Sequence, residues 1–147
     1  MAAAFLTALR LERHADVWLV LAPLRYRSAV VDAVIEVPVG FLTDLASVPR
    51  VPFLFWAAGG AAPGPAVLHD WLCQSHPPGV SWVQAAAVFL EAMSLDGTPG
   101  WRARLMWLGV RIAGAAAWDS GPARRRVLER VWAGEAGKHP PTPGARP

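Results

Sequence analysis

The run Ala66-Val67-Leu68-His69-Asp70-Trp71-Leu72-Cys73 sets two ionisable groups side by side among apolar residues. An imidazole in such a place can act as a general base, and a carboxylate can orient a base or hold a cation. If the run is helical, neighbouring side chains diverge by about 100°, so His69 and Asp70 cannot touch and each must face its own partner. The plain alternative is a core histidine next to a carboxylate bonded to a nearby arginine. His69, Cys73 and His76 also share a helical face, with spacings that suit soft metal ligands or a thiolate beside an imidazole.

Asp44 is the second candidate. It lies in Gly40-Phe41-Leu42-Thr43-Asp44-Leu45-Ala46-Ser47-Val48-Pro49-Arg50, which reads as a strand-to-helix junction where a turn can aim a carboxylate. Turn aspartates also bond their own backbone, and that is the competing reading. Glu91, near the apolar side of its helix, is expected to form a structural ion pair with Arg50 or a later arginine. Together Asp44, Arg50, His69 and Asp70 are expected to form a buried polar cluster joining a sheet to helices. In an enzyme, the same residues give an ester hydrolase with His69 as base and Asp44 or Asp70 in support.

The elements that must position these groups follow from pattern. Val17 to Leu24 is short, β-branched and interrupted by Pro23, and Val30 to Val37 partly alternates, so both read as strands with a sheet edge near Pro38. Val51 to Ala58 reads as a short helix after Ser47, and Ala66 to Ser75 as a second, stopped by Pro77-Pro78-Gly79. Ser81 with Gln84 three residues on is a capping-box pattern, and Val83, Ala87, Leu90 and Ser94 mark one face of the helix that follows. Thr98-Pro99 opens another helix, with Trp101, Leu105, Leu108, Ile112 and Ala115 as its expected buried stripe. Ser120-Gly121-Pro122 should end it and start a last helix, Ala123 to Ala133. The fold class is therefore α+β: a small N-terminal antiparallel β-sheet, then a helical bundle of about four to five helices. Residues 1–133 form one domain, and 134–147 a disordered tail rich in proline and glycine.

Composition narrows the class. The chain has 147 residues, the size of a single domain. Hydrophobic residues reach 54%, yet the most apolar window, Trp101 to Trp118, contains Arg102, Arg104 and Arg111, which excludes a spanning helix there. The first residues lack the charged and apolar segments of a secretory signal. One cysteine, Cys73, cannot form an internal disulfide, in keeping with a reducing cytoplasm. Residues 98–147 hold nine Arg and Lys against three acids, while residues 1–97 hold five Arg against eight acids. A basic surface through Arg102, Arg104, Arg111, Arg124, Arg125 and Arg126 would suit nucleic acid or an anionic membrane; a solvated helix face is the bland reading.

Residues Val37 to Arg50, Ala66 to Leu72 and Phe89-Leu90-Glu91-Ala92-Met93 together resemble the domain-of-unknown-function family numbered 1353, over roughly residues 17 to 115. That resemblance implies a phage or prophage setting, and so a virion or a bacterial host cytoplasm, with a phage or host protein as partner. It implies no reaction. The His69-Asp70 helix is also similar to that of viral and prokaryotic phospholipase A-two enzymes. That likeness implies His69 as the base activating water, and Asp70 as the ligand of a calcium cofactor. The sequence departs from those enzymes where Cys73 stands in place of a tyrosine and where Ala86 stands near the position of the aspartate that orients the base.

Overall fold

The computed structural model describes residues 2–14, 16–45 and 63–136. The front half forms two small antiparallel sheets rather than the single sheet expected. Strands β1 (Ala4–Phe5), β4 (Leu24–Ser28) and β5 (Ala33–Val37) make one sheet, in the order β1-β4-β5. Strands β2 (Leu11–His14), β3 (Val17–Val20) and β6 (Leu42–Thr43) make the other, in the order β2-β3-β6. Pro23 explains the division. It has no N–H for a ladder, so the apolar run Val17 to Leu24 breaks into β3 and β4, and Leu24 opens the next sheet. Val30 and Val31 fall in the β4–β5 turn instead of the strand, with their amides held on the Ser28 hydroxyl.

Three helices follow among the described residues: α1 (Pro63–Ser75), α2 (Trp82–Leu95) and α3 (Gly100–Ala136). The helix expected over 51–58 lies outside the described residues. Helix α1 starts three residues earlier than expected and is buried nearly all round, which accounts for its apolar sequence. Val67, Leu68 and Leu72 pack with Leu24, Tyr26, Ile35 and Val37 of one sheet and with Ala85, Val88 and Ala92 of α2. The Ser81 and Gln84 capping box is present in both directions.

The chain does not break at Ser120-Gly121-Pro122. Helix α3 runs through it for 37 residues, which is about 55 Å. Pro122 leaves the carbonyl four residues back, at Trp118, without its helical donor. That carbonyl accepts instead from His76 Nε2 at 2.8 Å, and the imidazole stacks on the Trp118 ring, centroids 4.2 Å apart and 5° from parallel. Gly121 is there for a different reason: a Cβ would stand 1.8 Å from the Cys73 carbonyl oxygen. What reads as a helix boundary is the crossing point of α1 and α3. The helix also extends to Ala136, so residues 134–136 of the expected tail are helical, and 137–147 lie outside the described residues.

The buried faces of α2 and α3 are not the expected ones. In α3 the core face is Ala103, Met106 and Val110, with Gly114 against the Trp82 ring, while Trp101, Leu105, Leu108 and Ile112 are exposed. In α2, Val83 and Ser94 are exposed, and Ala86, Phe89 and Met93 face α3. At Gly114 the approach is close: a Cβ there would stand 2.9 Å from the Trp82 ring. Beyond the crossing, Leu128 and Trp132 of α3 close over Val17 and Leu42 of the second sheet.

Candidate functional site

Strand β6 delivers Thr43 and, one residue later, Asp44 to the side of α1 that carries Asp70. The Thr43 hydroxyl donates to Asp70 Oδ2 and accepts the Leu45 amide at 3.0 Å. To reach back, Leu45 takes a left-handed conformation with φ of 55°, which costs a non-glycine residue about 1 kcal/mol. Thr43 and Asp70 are both fully buried. Burial pushes the Asp70 carboxyl up to about 7, helped by the Asp44 charge; the Thr43 and Leu45 hydrogen bonds and the Arg124 charge pull the other way. Among the described residues Asp70 Oδ1 has no hydrogen-bond partner, and neither do the two side-chain polar atoms of Gln74, one helical turn on and also buried.

His69 faces away from Asp70, as adjacent helical positions must. Its ring lies against Phe89, centroids 5.3 Å apart, in a pocket that leaves it 3% exposed. Burial, with the charge of Arg124, lowers its pKa to about 4, so the imidazole is neutral at pH 7. The Cys73 sulfur sits 3.7 Å from Nε2 and 3.9 Å from Nδ1. Near-equal distances place it off the lone-pair axis of either nitrogen. Burial, and secondarily the Asp70 charge, push the Cys73 thiol up to about 12, so it is not the thiolate of a reactive pair.

The remaining candidates separate. Asp44 pairs with Arg124, both partly buried. Arg124 was expected on a basic surface; it is drawn inward because a half-buried carboxylate needs a cation, and α3 passes over β6. Arg125 likewise is engaged, with Glu129 at 3.1 Å. Arg50 lies outside the described residues. Glu91 is not in this cluster and does not pair with a later arginine. Its carboxylate accepts from the Tyr26 hydroxyl at 2.9 Å, the Ser28 hydroxyl at 2.8 Å and the Ala29 amide at 3.0 Å, tying α2 to the first sheet. His76 leaves the His69 and Cys73 face to serve Trp118. Thr43 and Arg124 were missed as site residues. The signal for Thr43 was its place beside Asp44 in the quoted block; nothing local marks Arg124, which is 80 residues from its partner.

Among the described residues no group of three or more His, Cys, Asp or Glu could hold a metal ion. Calcium takes six to eight oxygens, and here Asp70 is sealed while Asp44 is committed to Arg124, so these donors do not fit it. Ala86 is buried between α2 and α3, and the described side chains against the His69 ring include Phe89 and Cys73. A cavity of about 110 Å³ is lined by Pro38 to Leu42, Trp71, Arg125 and Glu129, and its lining includes neither His69 nor Asp70. No helix among the described residues is long and apolar enough to cross a membrane.

The family described as a protein of unknown function, DUF1353, matches residues 18–110, and the chain belongs to it. No curated protein and no solved structure matches the chain.

Proposed function

We propose that this chain is an accessory protein that works by binding, with Thr43, Asp44, Asp70 and Arg124 acting as a polar tie between β6, α1 and α3. The observation that carries this reading is the sealing of His69 and Asp70, at 3% and 0% exposure. A buried polar network of this kind favours one arrangement of sheet and helices over its alternatives. A phage or prophage setting, with a phage or host protein as partner, accords with the family resemblance of the strand-to-helix block.

A second reading, an ester hydrolase of phospholipase-like type with His69 as base, is favoured by three features in one place. These are a neutral imidazole, a carboxyl poised near pH 7 with one oxygen unpartnered, and left-handed backbone at Leu45. The test is fatty-acid release from mixed phospholipid vesicles, with and without calcium, by the protein and by His69→Ala and Asp70→Asn variants checked for folding by circular dichroism. Binding predicts no release above background and variants altered only in stability. Release that disappears in both folded variants would make the cluster an active site.

A further inference from the structure

Helix α3 has two apolar faces. The small one, Ala103, Met106 and Val110, is buried; the large one, Trp101, Leu105, Leu108 and Ile112, is 58%, 40%, 49% and 79% exposed. From the helical repeat, Arg102 lies about a quarter turn to one side of the exposed stripe, and Arg104 and Arg111 about a quarter turn to the other. Arg102 lies over the Trp101 ring at 5.2 Å at one border, while Arg111 leans over Trp82 of α2 at 4.8 Å with one amino group buried, and Arg104 is exposed. No carboxylate occurs between Asp96 and Asp119, and none of the three arginines has an ion-pair partner among the described residues.

We infer that this face of α3 docks on an anionic phospholipid surface, lying in the plane of the interface with the stripe among the acyl chains and the arginines at the phosphates. The charges select that occupant. The stripe has the four-three spacing of a coiled-coil seam, but an antiparallel second copy would set Arg104 against Arg111, and a parallel one would set every flanking arginine against glycine or alanine, with no acceptor. An anionic bilayer instead supplies acceptors along both borders, and guanidinium forks pair with phosphate. The face carries no Ser, Thr, Asn or Gln to fix the register of a protein partner, and a convex apolar strip with basic borders is the form of an interfacial helix. This holds whether or not the His69 and Asp70 cluster proves catalytic.

The test is flotation of the full chain with vesicles of phosphatidylcholine alone or with a third phosphatidylglycerol, beside analytical ultracentrifugation of the protein without lipid. Binding is expected only with phosphatidylglycerol, and should weaken in high salt. Arg104→Glu should weaken it at least about fivefold, from one basic contact near an anionic surface. Ile112→Glu, at the most exposed position of the stripe, should abolish it while leaving the melting temperature unchanged. The inference is overturned if neither vesicle binds the protein, if the two bind it equally, or if Ile112→Glu leaves flotation intact. It is also overturned by a lipid-free dimer that Ile112→Glu dissociates, which would make a second copy the occupant.

Discussion

Glu91 and Asp70 do similar work toward different sheets and are dressed very differently. Each is a helical carboxylate that reaches a β-strand: Glu91 joins α2 to β4, and Asp70 joins α1 to β6. Glu91 is half-buried and receives three neutral donors shared over both oxygens. Asp70 is fully buried and receives the Thr43 hydroxyl on one oxygen, while the other has no partner among the described residues. The lesson is that depth and donor count together set what a carboxylate does. A shallow, saturated one is a fastener, whereas a deep, undersupplied one holds its proton into the neutral range.

The largest expected effect is at the fastener. Glu91→Ala strands the buried Tyr26 and Ser28 hydroxyls, while the exposed Ala29 amide turns to water, and should lower unfolding free energy by about 3 kcal/mol, at about 1–3 kcal/mol per unsatisfied buried group. Urea denaturation measures it. A loss below about 1 kcal/mol would mean that Glu91 and Asp70 do not differ as described.

The contrast sharpens in the pH dependence of stability. Between about pH 4 and 6.5 the unfolded chain carries a charged Asp70 and a protonated His69, while the folded chain holds Asp70 protonated and His69 neutral. Folding therefore takes up one proton at Asp70 and releases one at His69, and the two linkage slopes cancel. His69→Ala leaves only the Asp70 contribution, whose folded value is raised, so stability should fall as pH rises from about 4 to about 7. Asp70→Asn leaves only the His69 contribution, whose folded value is lowered, so stability should rise from about 4 to 6.5. Each slope approaches about 1.4 kcal/mol per pH unit. Thermal melts across that range give the signs; slopes of the same sign in the two variants would break the assignment.

The smallest effect is within the Glu91 set. Tyr26→Phe removes one of three donors and leaves the other two, so it should cost about 1 kcal/mol by urea denaturation.

The sequence made some of this legible and concealed the rest for identifiable reasons. Capping at Ser81 was readable because it depends on residues three apart, and α1 was readable from its terminators. The faces of α2 and α3 were not. In an alanine-rich helix nearly every face reads as apolar, and periodicity alone favoured the stripe of Leu105 and Ile112 over that of Ala103, Met106 and Val110. Ser120-Gly121-Pro122 misled because the reason for each residue is non-local: the carbonyl of Cys73 for Gly121, and His76 for the vacancy that Pro122 creates. For the candidate site, His69, Asp70 and Asp44 stood out as charges in apolar surroundings. Their sealing and the Arg124 contact depend on chain packing that no local pattern encodes.

The uninterrupted course of α3 past Pro122 separates what is recognisable in this chain from what must be kept for it to fold. The family match ends at residue 110, inside the helix, and begins at 18, inside β3. A fragment trimmed to those limits would lose an outer strand from each sheet. It would also lose the cation opposite Asp44, the ring on which His76 stacks, and the Leu128 and Trp132 cover of the second sheet. Domain boundaries for any shortened version of this protein are therefore better drawn at the ends of β1 and α3 than at the edges of family similarity.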